Sequence, residues 1–266
     1  MIRDITLGQY YNVDSRIHKL DPRTKIIATL LYIIELFIVD NFLGFLLAFF
    51  TLIFVIKMSR VPVSFILRGL KPVMIILLFT FLLNVFMTKG TIIFSFWIFK
   101  VTEEGLKTAA FMAIRLILLI MGSSILTFTT KPLSLTDGLE SLFRPFKKIG
   151  LPAHEIAMMM SIALRFIPTL LEETDKIIKA QEARGADLES GNVIKKAKAL
   201  IPILVPLFVS SFRIAQDLAL AMEARCYHGG IGRTRLHEMK FKKADYVSFI
   251  LMAIFLAGLI VLNRFF

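Results

Sequence analysis

The sequence predicts an all-α integral membrane protein, and three observations carry that prediction. Of the 266 residues, 56% are hydrophobic, and the mean hydropathy is +0.73, far above ordinary soluble chains. Five stretches approach the roughly 20 apolar residues that a helix needs to cross a bilayer. The formal net charge is +12, with cations gathered in some loops and missing from others, as in chains whose basic loops stay in the cytoplasm. The single cysteine, Cys226, excludes an intrachain disulfide framework and a cysteine zinc cluster. The opening MIRDITLGQYYNVDSRIHKLDPRTK has neither an apolar core nor a small-residue cleavage site, so it does not read as a secretory signal.

The five expected spans are 25–40, 42–58, 72–88, 107–130 and 245–263. The first two are short and lean on their flanks. The WIFK stretch around Trp97 reads as an interfacial segment. Arg3, Arg16, Lys19, Arg23 and Lys25 lie before the first span, and Arg60, Arg68 and Lys71 lie between spans two and three, with Lys57 at the border. Asp40-Asn41, between spans one and two, carries no cation, and Lys89 and Lys100 are offset by Glu103 and Glu104. This asymmetry places the N-terminus in the cytoplasm and, with five spans, the C-terminus outside. Three regions follow: an N-terminal membrane domain of four spans (1–130), a cytoplasmic domain (131–243) and a C-terminal transmembrane helix (244–266). Residues 131–243 hold 18 of the 32 basic and 12 of the 20 acidic residues, which fits a region kept inside the cell.

That cytoplasmic region reads as three helices, over 134–148, 153–184 and 192–225, stopped by Gly150, by Gly185 and before His228-Gly229-Gly230. Each long helix is apolar in its first half and charged in its second. IAMMMSIALRFIPTLL (156–171) and ALIPILVPLFVSSF (199–212) are read as too short to span and too apolar for water. They suit segments at the membrane face, with Pro202 and Pro206 bending the second. Glu172 with Lys176, Asp175 with Lys179 and Arg213 with Asp217 stand at i,i+4, where they would face each other.

A hexapeptide recurs at the ends of these two helices: AQEARG at 180–185 and AMEARC at 221–226. An arginine at a helix C-terminus is favoured by the macrodipole, by about 0.3–1 kcal/mol. The dipole alone does not explain Glu182 and Glu223 in the same last turns, where an acid is disfavoured. Two equivalent basic tips imply two similar acceptor sites.

In these tips, together with SRIHKLDPRTK before the first span, RFIPTL and AMEARCYHGGIGRT, the chain resembles the T component (EcfT) of energy-coupling factor transporters, ABC-type importers of vitamins and other micronutrients. The resemblance covers nearly the whole sequence. It implies a plasma-membrane scaffold joining two ABC ATPase subunits to a substrate-binding membrane S component. By that match Ala183-Arg184-Gly185 and Ala224-Arg225-Cys226 are the motifs that dock into the ATPases. Cys226 stands in place of a glycine, and cysteine takes positive φ poorly, which puts the backbone geometry of the second tip in question. Met158, Met159, Met160 and Leu204, on the apolar halves, are candidate contacts for the S component; methionine repacks easily against changing partners, though such a run also fills ordinary helix interfaces. No cofactor, metal or nucleic acid is expected. The chain carries no G-x-x-x-x-G-K-[ST] phosphate loop, so it is expected to be non-catalytic and to take its energy from the partner ATPases.

Other readings stay open. A permease subunit of a conventional ABC transporter would also carry coupling helices. A membrane enzyme would need a residue cluster, whereas His18, His154, His228 and His237 are scattered. A secondary transporter would place ionisable groups at the midplane in repeated span groups. His154-Glu155 begins an H-E-x-x-H zinc motif, but Met158 replaces its second histidine. Arg115 lies inside span four, where a charge is costly and often functional, unless a carbonyl or a carboxylate such as Glu35 satisfies it. Asp21-Pro22-Arg23 reads as a family motif or as a plain helix start with proline in the first turn.

Overall fold

The computed structural model describes residues 9–96, 99–150, 152–186, 193–229 and 239–265. Arg3, Trp97, Gly230 and His237 lie outside them. Among the described residues the regular structure is helical apart from one small hairpin. Its helices are α1 (Pro22–Ile38), α2 (Phe42–Ser59), α3 (Val63–Leu70), α4 (Met74–Met87), α5 (Glu103–Thr129), α6 (Pro132–Phe143), α7 (Ala153–Ala183), α8 (Val193–Ala224) and α9 (Lys243–Phe265). The hairpin pairs β1 (Ile92–Phe96) with β2 (Phe99–Thr102), antiparallel, with Ile92 opposite Thr102 and Phe96 opposite Phe99.

Two compact units divide the chain: residues 8–141 with 238–266, here the packed unit, and residues 1–7 with 142–237, here the helix-pair unit. In the packed unit α5 lies against α1, α2, α3 and α4, and α9 lies against α1 and α2. The core repeats at helical spacing. Phe45, Ala48, Leu52 and Ile56 line one face of α2, and Leu118, Met121, Ile125 and Phe128 line one face of α5, as a 3.6-residue period requires. A Cβ at Gly122 of α5 would collide with the Tyr32 ring of α1, so glycine permits that close crossing.

Local chemistry accounts for the element ends. Asp21 caps α1 by accepting the Arg23 amide, with Pro22 in the first turn. Thr102 caps α5 through the Gly105 amide. The third span was expected to open at Pro72. Instead the chain is already helical from Val63 and runs through Lys71–Val73 as a 3-10 turn into α4. The 3-10 turn absorbs the proline, which cannot donate to the preceding helix.

Six helical runs among the described residues are long and apolar enough to cross a membrane: Phe42–Ser59, Val63–Met87, Glu103–Thr129, Ala153–Ala183, Lys198–Ala224 and Lys243–Asn263. Five were expected, and the set differs. α7 and α8 have the lengths expected, but their apolar runs taken with flanking residues of the same helix are long enough to cross, so by length and composition both qualify. α1, with 17 residues, spans about 25 Å at 1.5 Å per residue, somewhat less than a bilayer's hydrocarbon core.

Candidate functional site

The recurrent hexapeptides form two helix ends with the same hydrogen bonds. At the end of α7 the Gly185 amide donates to the Glu182 carbonyl (2.9 Å) and the Ala186 amide to the Gln181 carbonyl (3.0 Å). At the end of α8 the Cys226 amide donates to Glu223 (2.9 Å) and the Tyr227 amide to Met222 (3.1 Å). This paired closure is the Schellman end, which needs a left-handed residue just past the cap. Gly185 supplies it at φ 83°, and Cys226 supplies it at φ 54°. The cysteine therefore keeps the geometry of the first tip, at a cost of about 1–2 kcal/mol for an L-residue in that region. Arg184 and Arg225 hold equivalent positions, each one residue beyond its helix, and both are exposed.

Two side-chain contacts set the direction of the helix pair. The Gln181 amide nitrogen donates to the Pro202 carbonyl at 3.2 Å. The Tyr227 hydroxyl reaches the Met158 sulfur at 2.9 Å. The end of α7 thus lies beside the early part of α8, and the end of α8 lies beside the start of α7. The helices are antiparallel, so Arg184 and Arg225 occupy opposite ends of the pair, roughly 35 Å apart at 1.5 Å per residue. The Gln181 contact also follows from the sequence. Pro206 has no N–H, so the Pro202 carbonyl lacks its partner one turn on, and the glutamine amide fills the gap. In the second hexapeptide Met222 stands at the corresponding position.

Of the apolar candidates, Met159, Met160 and Leu204 are exposed, Met159 by 61%, while Met158 is half-buried under Tyr227. The ion pair on α7 joins Lys176 to Glu173 at 3.5 Å, spaced i,i+3, rather than to Glu172 as the i,i+4 pattern predicts. Among the described residues, neither Asp175 with Lys179 nor Arg213 with Asp217 closes to ion-pair distance. Cys226 is a free, exposed thiol.

The packed unit holds a polar cluster that the sequence reading missed. The Arg23 guanidinium forks onto the Asp21 carboxylate, Nε to Oδ1 at 3.0 Å and Nη2 to Oδ2 at 2.9 Å. Nη1 donates to the Ser141 hydroxyl at 3.3 Å, and Nη2 also donates to the Met239 carbonyl at 3.1 Å. The Phe241 ring lies 4.0 Å from the guanidinium carbon. Fully buried Asp245 accepts the Asp21 amide at 2.9 Å and the Lys242 amide at 2.7 Å. Lys25 Nζ donates to the carbonyls of Thr129 (2.8 Å) and His18 (3.1 Å). Burial on its own would raise the Asp21 carboxyl, but the hydrogen bonds and charge of Arg23 outweigh it and hold the group below its ordinary range. Burial pushes the His18 imidazole below its ordinary value; its two nitrogens lie against Ser15 Oγ and the Tyr11 carbonyl. Asp21-Pro22-Arg23 is thus a helix start with proline in the first turn, and it is also the centre of this cluster. The local signal available was the charge density of DPRTK just before an apolar helix; nothing local pointed to Asp245, 224 residues away. Arg115 Nη2 donates to the Val39 carbonyl and pairs with Asp40 at 3.2 Å, and the residue does not pair with Glu35.

These features describe a helical membrane protein with two long helices whose ends close in the same hydrogen-bond pattern around an arginine. Residues 14–237 match the family described as cobalt transport protein, CbiQ. The energy-coupling factor transporter transmembrane protein EcfT of Clostridium kluyveri is 57% identical over 99% of this chain and 98% of its own length. The protein of the same name from Thermosediminibacter oceani is 52% identical over 99% of both chains. That from Bacillus subtilis is 49% identical over 99% of this chain and all of its own. The chain belongs to this family, the transmembrane T component of energy-coupling factor transporters.

Proposed function

We propose that this chain couples ATP hydrolysis in two ABC ATPase subunits to the movement of a substrate-binding S component, for uptake of a vitamin or other micronutrient across the cell membrane. One observation carries the reading: two arginine-capped helix ends of the same geometry, at opposite ends of one antiparallel pair. Each tip takes one ATPase subunit. Arg184 and Arg225 each meet a carboxylate in a groove of that subunit, with Ala183-Gly185 and Ala224-Cys226 setting the close approach of the backbone. ATP binding draws the two ATPases together, and the stiff helices carry the displacement to their apolar halves. There Met159, Met160 and Leu204, with Met158 behind them, bear on the S component. The N-terminus and the helix pair face the cytoplasm in this reading, as the cation pattern favours. A conventional permease subunit usually offers one coupling element, so two in one chain favour the T-component role.

The test is copurification of ATPases and nutrient uptake for Arg184→Ala, Arg225→Ala and the double mutant, with Lys179→Ala as a charge control. Stranding the partner of a buried charge pair costs about 2–5 kcal/mol, so each single change should loosen one ATPase contact by roughly 30-fold or more. The double mutant should release the ATPases or uncouple hydrolysis from transport. Helix-dipole stabilisation alone predicts a loss of about 0.3–1 kcal/mol per site with assembly intact. A double mutant that assembles and transports like the wild type would sink the coupling role.

A further inference from the structure

The chain leaves the packed unit after Ser141 and returns to it at residue 238, having built residues 142–237 in between. Arg23 donates to Ser141 at the exit and to Met239 at the return. We infer that Arg23 is a positioning residue that ties these two crossings into one joint, through which motion of the helix-pair unit is delivered to α1, α6 and α9. This rests on the coupling reading above.

The donor inventory supports the inference. A guanidinium has five N–H groups. Two go to Asp21, which is enough to hold α1, and two more go to the residues that bracket the 142–237 segment. A residue needed solely for the start of α1 would have no use for those further arms. The joint is also fixed from behind. Asp245, at the start of α9, holds the Asp21 and Lys242 amides, and Phe241 stacks on the guanidinium. The Arg23 side chain is 15% exposed and that of Asp21 is 4% exposed, so the fork is shielded from competing water. Two untied crossings would each yield separately to a pull on the helix pair, and the slack would absorb displacement. Tied to one rigid guanidinium, they move α1, α6 and α9 together.

Lysine is the informative replacement. It can still pair with Asp21, but its ammonium has neither the planar fork nor the reach to serve Ser141 and Met239 together. The experiment uses the complete transporter, copurified with its ATPases and S component and reconstituted in liposomes, with ATP hydrolysis and nutrient uptake measured on the same sample. Arg23→Lys should retain both partners and hydrolyse ATP, while uptake per ATP falls by roughly tenfold, within the range of a lost coupling energy. Ser141→Ala, which removes one arm, should lower the ratio by a smaller factor. An assembled Arg23→Lys transporter with an unchanged ratio overturns the inference, and so does loss of the ATPases from it. If Arg23→Lys yields no folded protein to purify, Ser141→Ala decides: a lowered ratio supports the joint and an unchanged one overturns it. The Arg184→Ala/Arg225→Ala double mutant separates the two readings. If the double mutant is uncoupled and Arg23→Lys is not, the joint alone is wrong. If the double mutant couples normally, the coupling reading itself falls.

Discussion

The packed unit and the helix-pair unit differ in how much core each encloses. In the first, α5 lies among four helices, and residues such as Leu36, Ile66 and Leu118 are almost wholly buried. In the second, just Ala153, Ala157 and Ile203 are buried among the described residues, while Met159, Val205, Phe208 and Phe212 are each more than half exposed. The first unit has an internal core of its own, although Phe42, Ile75, Phe79 and Ile254 on its outer faces are each more than half exposed. The second presents apolar surface that lipid or another protein must cover, since patches of this kind mark interaction or membrane faces. The difference between the units is therefore the presence of an internal core in the first and its near absence in the second. Polar groups follow the same division. In the packed unit they are buried and tied across the chain, as Arg23, Asp21 and Asp245 are. In the helix-pair unit they lie along the exposed helices, as Lys176 and Glu173 do, and at the tips.

The contrast can be broken first at Asp245. Asp245→Ala removes the acceptor of two amides and the carboxylate beside Arg23 and Lys25. A buried network that loses a charged member typically drops by about 3–5 kcal/mol. The packed unit should therefore lose thermal stability in detergent, while hydrogen exchange in α7 and α8 stays unchanged. Equal protection losses in both units would show that they do not differ as described. Gln181→Met places the residue of the second hexapeptide in the first and leaves the Pro202 carbonyl without its donor. The expected cost is about 1–2 kcal/mol, read as faster amide exchange around Pro202 with the melting of the packed unit unaltered. Faster exchange confined to the packed unit would contradict the antiparallel contact. The smallest effect runs the other way. Cys226→Gly relieves the left-handed strain by about 1 kcal/mol. The amides of Cys226 and Tyr227 should then exchange roughly fivefold more slowly. Unchanged or faster exchange there would mean that the two tips do not share one backbone geometry.

Much was legible in the sequence because it depends on neighbours along the chain. Apolar stretches long enough for a bilayer, the long charged-ended helices over 153–184 and 192–225, and the recurrence of AQEARG as AMEARC are local patterns. They match α7, α8 and their twin Schellman ends to within a residue or so. Asp21 and Pro22 likewise announce the start of α1. Span counting went less well. The helix begins at Val63 rather than near Pro72, because a 3-10 turn carries it past the proline, and α7 and α8, although of the lengths expected, join the runs long enough to cross because a few polar residues do not end an apolar stretch held in one helix.

The sequence by itself determined helical class, membrane character and the twin arginine ends, since helix period, hydropathy and capping act over a few residues. The tertiary structure alone decided which distant groups meet. Arg23 finds Ser141 and Met239, and Asp21 finds Asp245, across separations of 118, 216 and 224 residues. Gln181 finds a carbonyl that Pro206 had left open. The left-handed conformation of Cys226 was also decided by structure, because the hydrogen bonds that close the end of α8 outweigh the preference of an L-residue for negative φ. Such pairings depend on how helices cross. No pattern of spacing encodes that, because the free energy comes from desolvating and joining groups that the chain brings together once it has folded.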